Sequence, residues 1–187
     1  MDIWTGNAAI QVQPSVETTP IPSMLSSIPE ASAVLNRVDV RSYSGRGVVV
    51  VEGGHVRLED CYIHHCAATG LYVGGNRSLA VLTSTDIVYN GMGNQRSGGI
   101  VRGHSGVYLE QSKAELQNCS VSQNTASGIT VIAPDNSALK LLDSEVVANG
   151  CTPLEIPNPI DPGAVDRNNR VAVIGTPKPR SIMLRSP

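Results

Sequence analysis

The side chains with chemistry to offer in this chain are few and scattered. Tyr72 and Tyr108 each stand two residues after a glycine, in GLYVG and GVYLE, and Glu110 follows the second by two. Two tyrosines in equivalent positions beside a carboxylate are the ingredients of a surface that holds a sugar ring or a partner side chain. The ordinary alternative is a pair of surface tyrosines on a strand, where tyrosine is common. A second group lies in GMGNQRSGGIVRGHS, residues 91–105, where Asn94, Arg96, Arg102 and His104 gather hydrogen-bond donors and positive charge in a glycine-rich stretch. His64 and His65 stand between Cys61 and Cys66, but this spacing matches no common zinc pattern. Strand alternation would also send Cys61 and Ile63 to one face and His64 to the other. No metal and no cofactor is expected, and no catalytic residue is assigned. Asp86 and Glu145 stand two rungs apart, about 9.6 Å at the usual strand spacing, too sparse for an obvious calcium site, and no nucleophile motif, phosphate loop or dinucleotide fingerprint is present.

What must position these residues is a register repeated five times: leucine, two residues, a small or apolar residue, one residue, then valine or isoleucine. It falls at Leu35/Val38/Val40, Leu58/Cys61/Ile63, Leu82/Thr85/Ile87, Leu116/Cys119/Val121 and Leu141/Ser144/Val146. Three residues after each copy comes a turn position, filled in order by Tyr43, Cys66, Asn90, Asn124 and Asn149. Gly47, Gly70, Gly106 and Gly128 then open the next alternation. A chain that returns to one register at this interval is a coil of stacked rungs, each unable to bury its apolar face alone. Three alternating stretches per copy predict a three-sided coil with Val107, Leu109, Ala114, Leu116, Cys119 and Val121 facing inward in one rung. Asparagine at the turn predicts a column bonded amide to amide, with a left-handed backbone at each member. The outward slots put Val49, Tyr72, Tyr108 and Thr130 in one column on an exposed face, and Tyr62, Asp86, Ser120 and Glu145 in another. From the turn slot to the opening glycine three residues intervene in most rungs, but fifteen between Asn90 and Gly106. That interval reads as a long loop emerging beside Tyr108, or else with GGIV as a strand of an irregular rung.

These repeats resemble those of right-handed parallel β-helix proteins, a group that includes pectate-lyase-like enzymes and the β-helix domain of F-box ubiquitin-ligase adaptors. The expected fold class is all-β, a parallel β-helix of about five rungs. The resemblance covers residues 35–150; residues 1–34 read as a Pro/Ser-rich segment or linker, with Ile10 and Val12 alternating as a remnant of another rung. Residues 151–187 read as a proline-rich irregular segment in which RVAVIG offers one strand. Eleven of the twelve prolines lie outside 35–150, as expected where a sheet ladder needs its N–H donors; the exception, Pro134, is assigned to a turn. Resemblance to the enzymes implies polysaccharide lyase or glycoside hydrolase chemistry on acidic polymers, but the converging carboxylates such chemistry needs are absent from the pattern.

The favoured function is therefore a non-enzymatic interaction module that binds a protein or polysaccharide partner through the tyrosine face and the 91–105 loop. Its candidate binding residues are Tyr72, Tyr108, Glu110, Asn94, Arg96, Arg102 and His104. A carbohydrate-active enzyme or a structural subunit that self-associates through its coil ends are the competing readings. A net charge of -2 and no basic cluster argue against nucleic acid. No apolar run is long enough to cross a membrane and no signal peptide is visible, so an intracellular, cytoplasmic location is expected. With six aromatics and no phenylalanine, the core must be aliphatic. The cysteines read as free thiols filling core and turn slots, since Cys61 and Cys119 are two rungs apart, about 9.6 Å at the usual strand spacing.

Overall fold

The computed structural model describes residues 8–14, 31–93, 95–97, 100–132, 137–155, 171–173 and 183–184. Its strands follow one another in threes. The first turn of the coil is β1 (Ala8–Val12), β2 (Ser32–Asn36) and β3 (Asp39–Val40). The second is β4 (Arg46–Val51), β5 (His55–Glu59) and β6 (Tyr62–His64), and the third is β7 (Leu71–Gly74), β8 (Leu79–Thr83) and β9 (Asp86–Val88). A hairpin, β10 (Gln95–Ser97) and β11 (Ile100–Arg102), interrupts the series. It resumes with β12 (Val107–Glu110), β13 (Lys113–Gln117) and β14 (Ser120–Ser122), then β15 (Ile129–Ile132), β16 (Ala138–Leu142) and β17 (Glu145–Val147). The short strands β18 (Leu154–Glu155), β19 (Val171–Val173) and β20 (Met183–Leu184) end it. Every third strand of the coil pairs in parallel, giving three six-stranded sheets that form the sides of a parallel β-helix.

The register is the one the sequence repeats. Leu35, Leu58, Leu82, Leu116 and Leu141 are successive partners in the second sheet, and Val40, Ile63, Ile87, Val121 and Val146 in the third. Ile10, Val48, Leu71, Val107 and Ile129 do the same in the first, so the Ile10/Val12 alternation is a strand of the coil. Strands thus join the sheets on both sides of residues 35–150, and one of them, Val171–Val173, is the strand offered by RVAVIG. Val48, Leu58, Ile63, Leu71, Leu82, Ile87, Leu116 and Val146 are all 0 % exposed. Each large side chain so buried stabilises by about 1.5–3 kcal/mol before chain entropy is set against it. Cys61, Cys66 and Cys119 are buried free thiols, and burial pushes the thiols of Cys66 and Cys119 up to about 11, which makes them inert fillers.

Polar side chains stitch the rungs together inside the corners. The Asn90 backbone N–H and its Nδ2 both donate to Asn124 Oδ1 (3.0 and 3.1 Å), and Asn124 donates in the same way to Asn149 Oδ1 (3.0 Å each). The remaining Nδ2 protons go to Ile63 O, Ile87 O and Val121 O. The amide-to-amide column is as expected, but its backbone reason is not. The left-handed residue is the one before each turn slot: His65 before Cys66, and Tyr89, Gln123 and Ala148 before Asn90, Asn124 and Asn149, at φ 51°, 55°, 55° and 52°. That strained residue turns the chain, and asparagine is selected because its side chain points inward and satisfies the turn. Gly70 belongs to the same corner, since a Cβ there would stand 2.7 Å from Asn90 Nδ2 and 2.8 Å from Ile87 Cγ2.

The 91–105 interval is neither an irregular loop nor an extra rung. β10 and β11 pair antiparallel, Gln95 with Arg102 and Ser97 with Ile100, in a sheet of their own. Ile100 and Val101 of GGIV therefore belong to an antiparallel strand, which satisfies its own backbone groups without displacing a rung. Pro134 and Asn94 lie outside the described residues.

Replacing Asn124 with alanine removes the acceptor of two Asn90 N–H groups and the donor to Ile87 O, leaving buried polar groups unpaired. The expected cost is about 3 kcal/mol, read as a lower urea midpoint with an unchanged m-value; a loss below about 0.5 kcal/mol would show that water replaces the column.

Candidate functional site

Tyr72 and Tyr108 are neighbours in the first sheet, paired in register between β7 and β12. Their side chains point outward and stack, ring centroids 5.7 Å apart and 20° from parallel. From the turn below, Arg46 at the start of β4 lays its guanidinium 4.8 Å from the centre of the Tyr72 ring. Two residues on from Tyr108, Glu110 accepts a hydrogen bond from the Tyr72 hydroxyl through Oε2 at 2.9 Å. Gly103 and His104, at the return of the hairpin, complete a groove of about 310 Å³ floored by these side chains and Thr69.

The column is not the flat exposed face that alternation implies. Val49 and Thr130 are each only 6 % exposed, and the tyrosines are half-buried. Arg46 folds over Tyr72, residues 103–104 return beside Tyr108, and Thr130 donates to the Glu155 carboxylate (3.2 Å), which also accepts from Ser127 (2.7 Å). The result is a walled groove in place of an open strand face.

Its electrostatics follow from this partial enclosure. Burial pushes the pKa of Tyr72 up, reinforced by its bond to Glu110; burial pushes that of Tyr108 up too, with Glu110 and Glu155 adding to it. Both phenols keep their protons at neutral pH. Burial, and then the neighbouring Arg46, push the pKa of His104 below the ordinary histidine value, so its imidazole is neutral at pH 7. Among the described residues, Arg46 Nε is a buried side-chain nitrogen with no hydrogen-bond partner, so the π contact with Tyr72 is the guanidinium's visible anchor.

Of the residues singled out in the sequence, Tyr72, Tyr108, Glu110 and His104 come together here. Arg96 and Arg102 lie in the hairpin strands, with side chains outside the described residues, as Asn94 is altogether. Sequence reading missed Arg46 and Thr69. The signal was available: Arg46 takes the place held by Thr69 one rung on, a long cation where the neighbour is small.

Two other clusters are outside the groove. On the third sheet His64 Nε2 donates to Asp39 (2.8 Å), while the Nδ1 atoms of His64 and His65 lie 2.6 Å apart, within hydrogen-bond distance. The ring of His65 stacks on Tyr89 at 5.3 Å. The two histidines thus meet each other, with the cysteines of that stretch turned into the core. No group of three or more His, Cys, Asp or Glu among the described residues forms a metal site. Further along the third sheet, Asp86, Asp143 and Glu145 border a shallow hollow, and burial pushes the pKa of Asp86 up.

Residues 26–158 match the family described as "Right handed beta helix region". With the three parallel sheets this settles the class: the chain belongs to the right-handed β-helix family. No curated protein and no solved structure matches it.

The lowered pKa of His104 fixes a sign. The unfolded chain takes up this proton before the folded one does, so the stability tied to a neutral His104 is complete above the ordinary histidine value and is lost as pH falls through it. Urea midpoints from pH 7.5 to 5.0 should drop less steeply for His104→Gln than for the parent. Equal slopes would place the histidine in open solvent.

Proposed function

We propose that the protein is a non-enzymatic binding module that holds a saccharide in the first-sheet groove. The observation that carries this reading is the convergence of the two features that the coil itself does not require. The stacked tyrosines and the 91–105 insertion, separate in the sequence, meet around one concavity. A groove of about 310 Å³ lined by tyrosine hydroxyls, a carboxylate, a guanidinium and an imidazole suits a small polar ligand. A stable protein interface wants about 800 Å² per partner with an apolar centre, and the exposed large apolar residues Val34, Tyr43, Tyr62, Tyr89 and Met92 are not among those lining the groove.

Binding is favoured over cleavage by the same groups. Glu110 is the one carboxylate among the described residues lining the groove, and it is engaged by Tyr72. Glycoside hydrolysis commonly uses two carboxylates about 5–10 Å apart, and the phenols here are held protonated.

A saccharide array followed by titration should find a ligand whose affinity falls at least about tenfold in Tyr72→Ser/Tyr108→Ser, with far-UV circular dichroism retained. Incubation with polygalacturonate and alginate, with or without calcium, should release no unsaturated or reducing ends. Product that disappears in His104→Gln would replace binding by catalysis, and undiminished affinity in the double variant would move the site elsewhere.

A further inference from the structure

We infer that the groove selects an uncharged saccharide, held through a pair of adjacent hydroxyls, over a sugar carboxylate. This rests on the saccharide reading above and narrows its substrate class. The groove carries one cation, Arg46, and one anion, Glu110, among its described lining residues. His104 adds no charge at neutral pH. Among these described residues the charges therefore balance, and a second carboxylate, Glu155, stands one rung beyond Thr130. A uronate entering here would gain Arg46 and meet Glu110, so the attraction and the repulsion offset each other within a few ångströms.

Hydroxyls suit the atoms left open. Glu110 Oε2 is taken by Tyr72, while Oε1 has no partner among the described residues and accepts. The Tyr108 hydroxyl likewise makes no hydrogen bond among them. A sugar hydroxyl both donates and accepts, so one member of a vicinal pair can donate to Glu110 Oε1 while the other accepts from Tyr108 or Arg46. A uronate carries the same ring hydroxyls, but its carboxylate can only accept, so wherever it faces Glu110 it brings repulsion and no donor.

Ring stacking has a lesser part. The Tyr72 ring already carries Tyr108 at 5.7 Å and the Arg46 guanidinium at 4.8 Å. Its hydroxyl and edge are what the stack leaves for a ligand, and selection falls to hydrogen bonds.

The test is calorimetric titration of the full chain with galactose, glucose, mannose and xylose oligomers, and with galacturonate, glucuronate and mannuronate oligomers of equal length, at low and at 0.3 M salt. A neutral oligomer should bind at least about tenfold more tightly than the uronate of matching stereochemistry, with less than about a twofold change on adding salt. Glu110→Gln should weaken the neutral ligand about tenfold, the loss of one charge-assisted hydrogen bond, with the unfolding midpoint unchanged. A uronate that binds more tightly, and loses affinity in salt, would overturn the selectivity and leave the saccharide site standing. Binding of neither series would overturn the saccharide reading itself.

Discussion

In a parallel coil each rung directs its backbone N–H and C=O groups along the axis, where only the next rung can satisfy them. That constraint holds every rung about 4.8 Å from its neighbour and forbids slippage, because a one-residue shift would turn each inward leucine to solvent. Residues at equivalent positions must then stack on one another. Aliphatic side chains do so without gaps, as the unbroken column from Leu58 through Leu141 shows. Corner asparagines do so by bonding to the amide above, turning what would be orphaned turn groups into a continuous ladder.

The same constraint makes departures from the pattern conspicuous, and it explains where they collect. Tyr72 and Tyr108 cannot avoid one another once β7 and β12 are paired, so two outward tyrosines become one stack with both phenols partly withdrawn from water. A hairpin can be inserted after Asn90 only because it closes its own hydrogen bonds and returns the chain to Gly106 in register. Its return places His104 against the stack. A rigid, repetitive frame thus creates a groove from residues that are individually unremarkable, and tunes them by partial burial: protonated phenols, a neutral imidazole, an opposed cation and anion.

The fold was legible in the sequence because a periodic structure writes its period into side-chain type. Leu35 to Leu141 and Val40 to Val146 needed no tertiary information to be placed. The corner was read for the right residues with an incomplete reason: the turn slot was credited with the left-handed backbone that the residue before it adopts, at His65, Tyr89, Gln123 and Ala148. Nothing in residue type singles out those four, since the positive φ is imposed by closure of the triangle and tolerated by whatever side chain points outward. In the same way, GGIV offered strand-like residues but no partner, and the choice between a rung and a hairpin depended on which backbone groups were free to pair.

By itself, then, the sequence determined the coil, its register and its aliphatic interior, and singled out Tyr72, Glu110, His104 and Tyr108 as candidates. Each is fixed by periodicity or by departure from it. Only the tertiary structure decided that Arg46 reaches across a rung to Tyr72, that the outward column is walled instead of open, and that the two histidines face one another. Those facts depend on the reach and rotamer of long side chains between rungs. Register sets where a Cα lies, but the contact a long side chain makes is chosen by the space its neighbours leave.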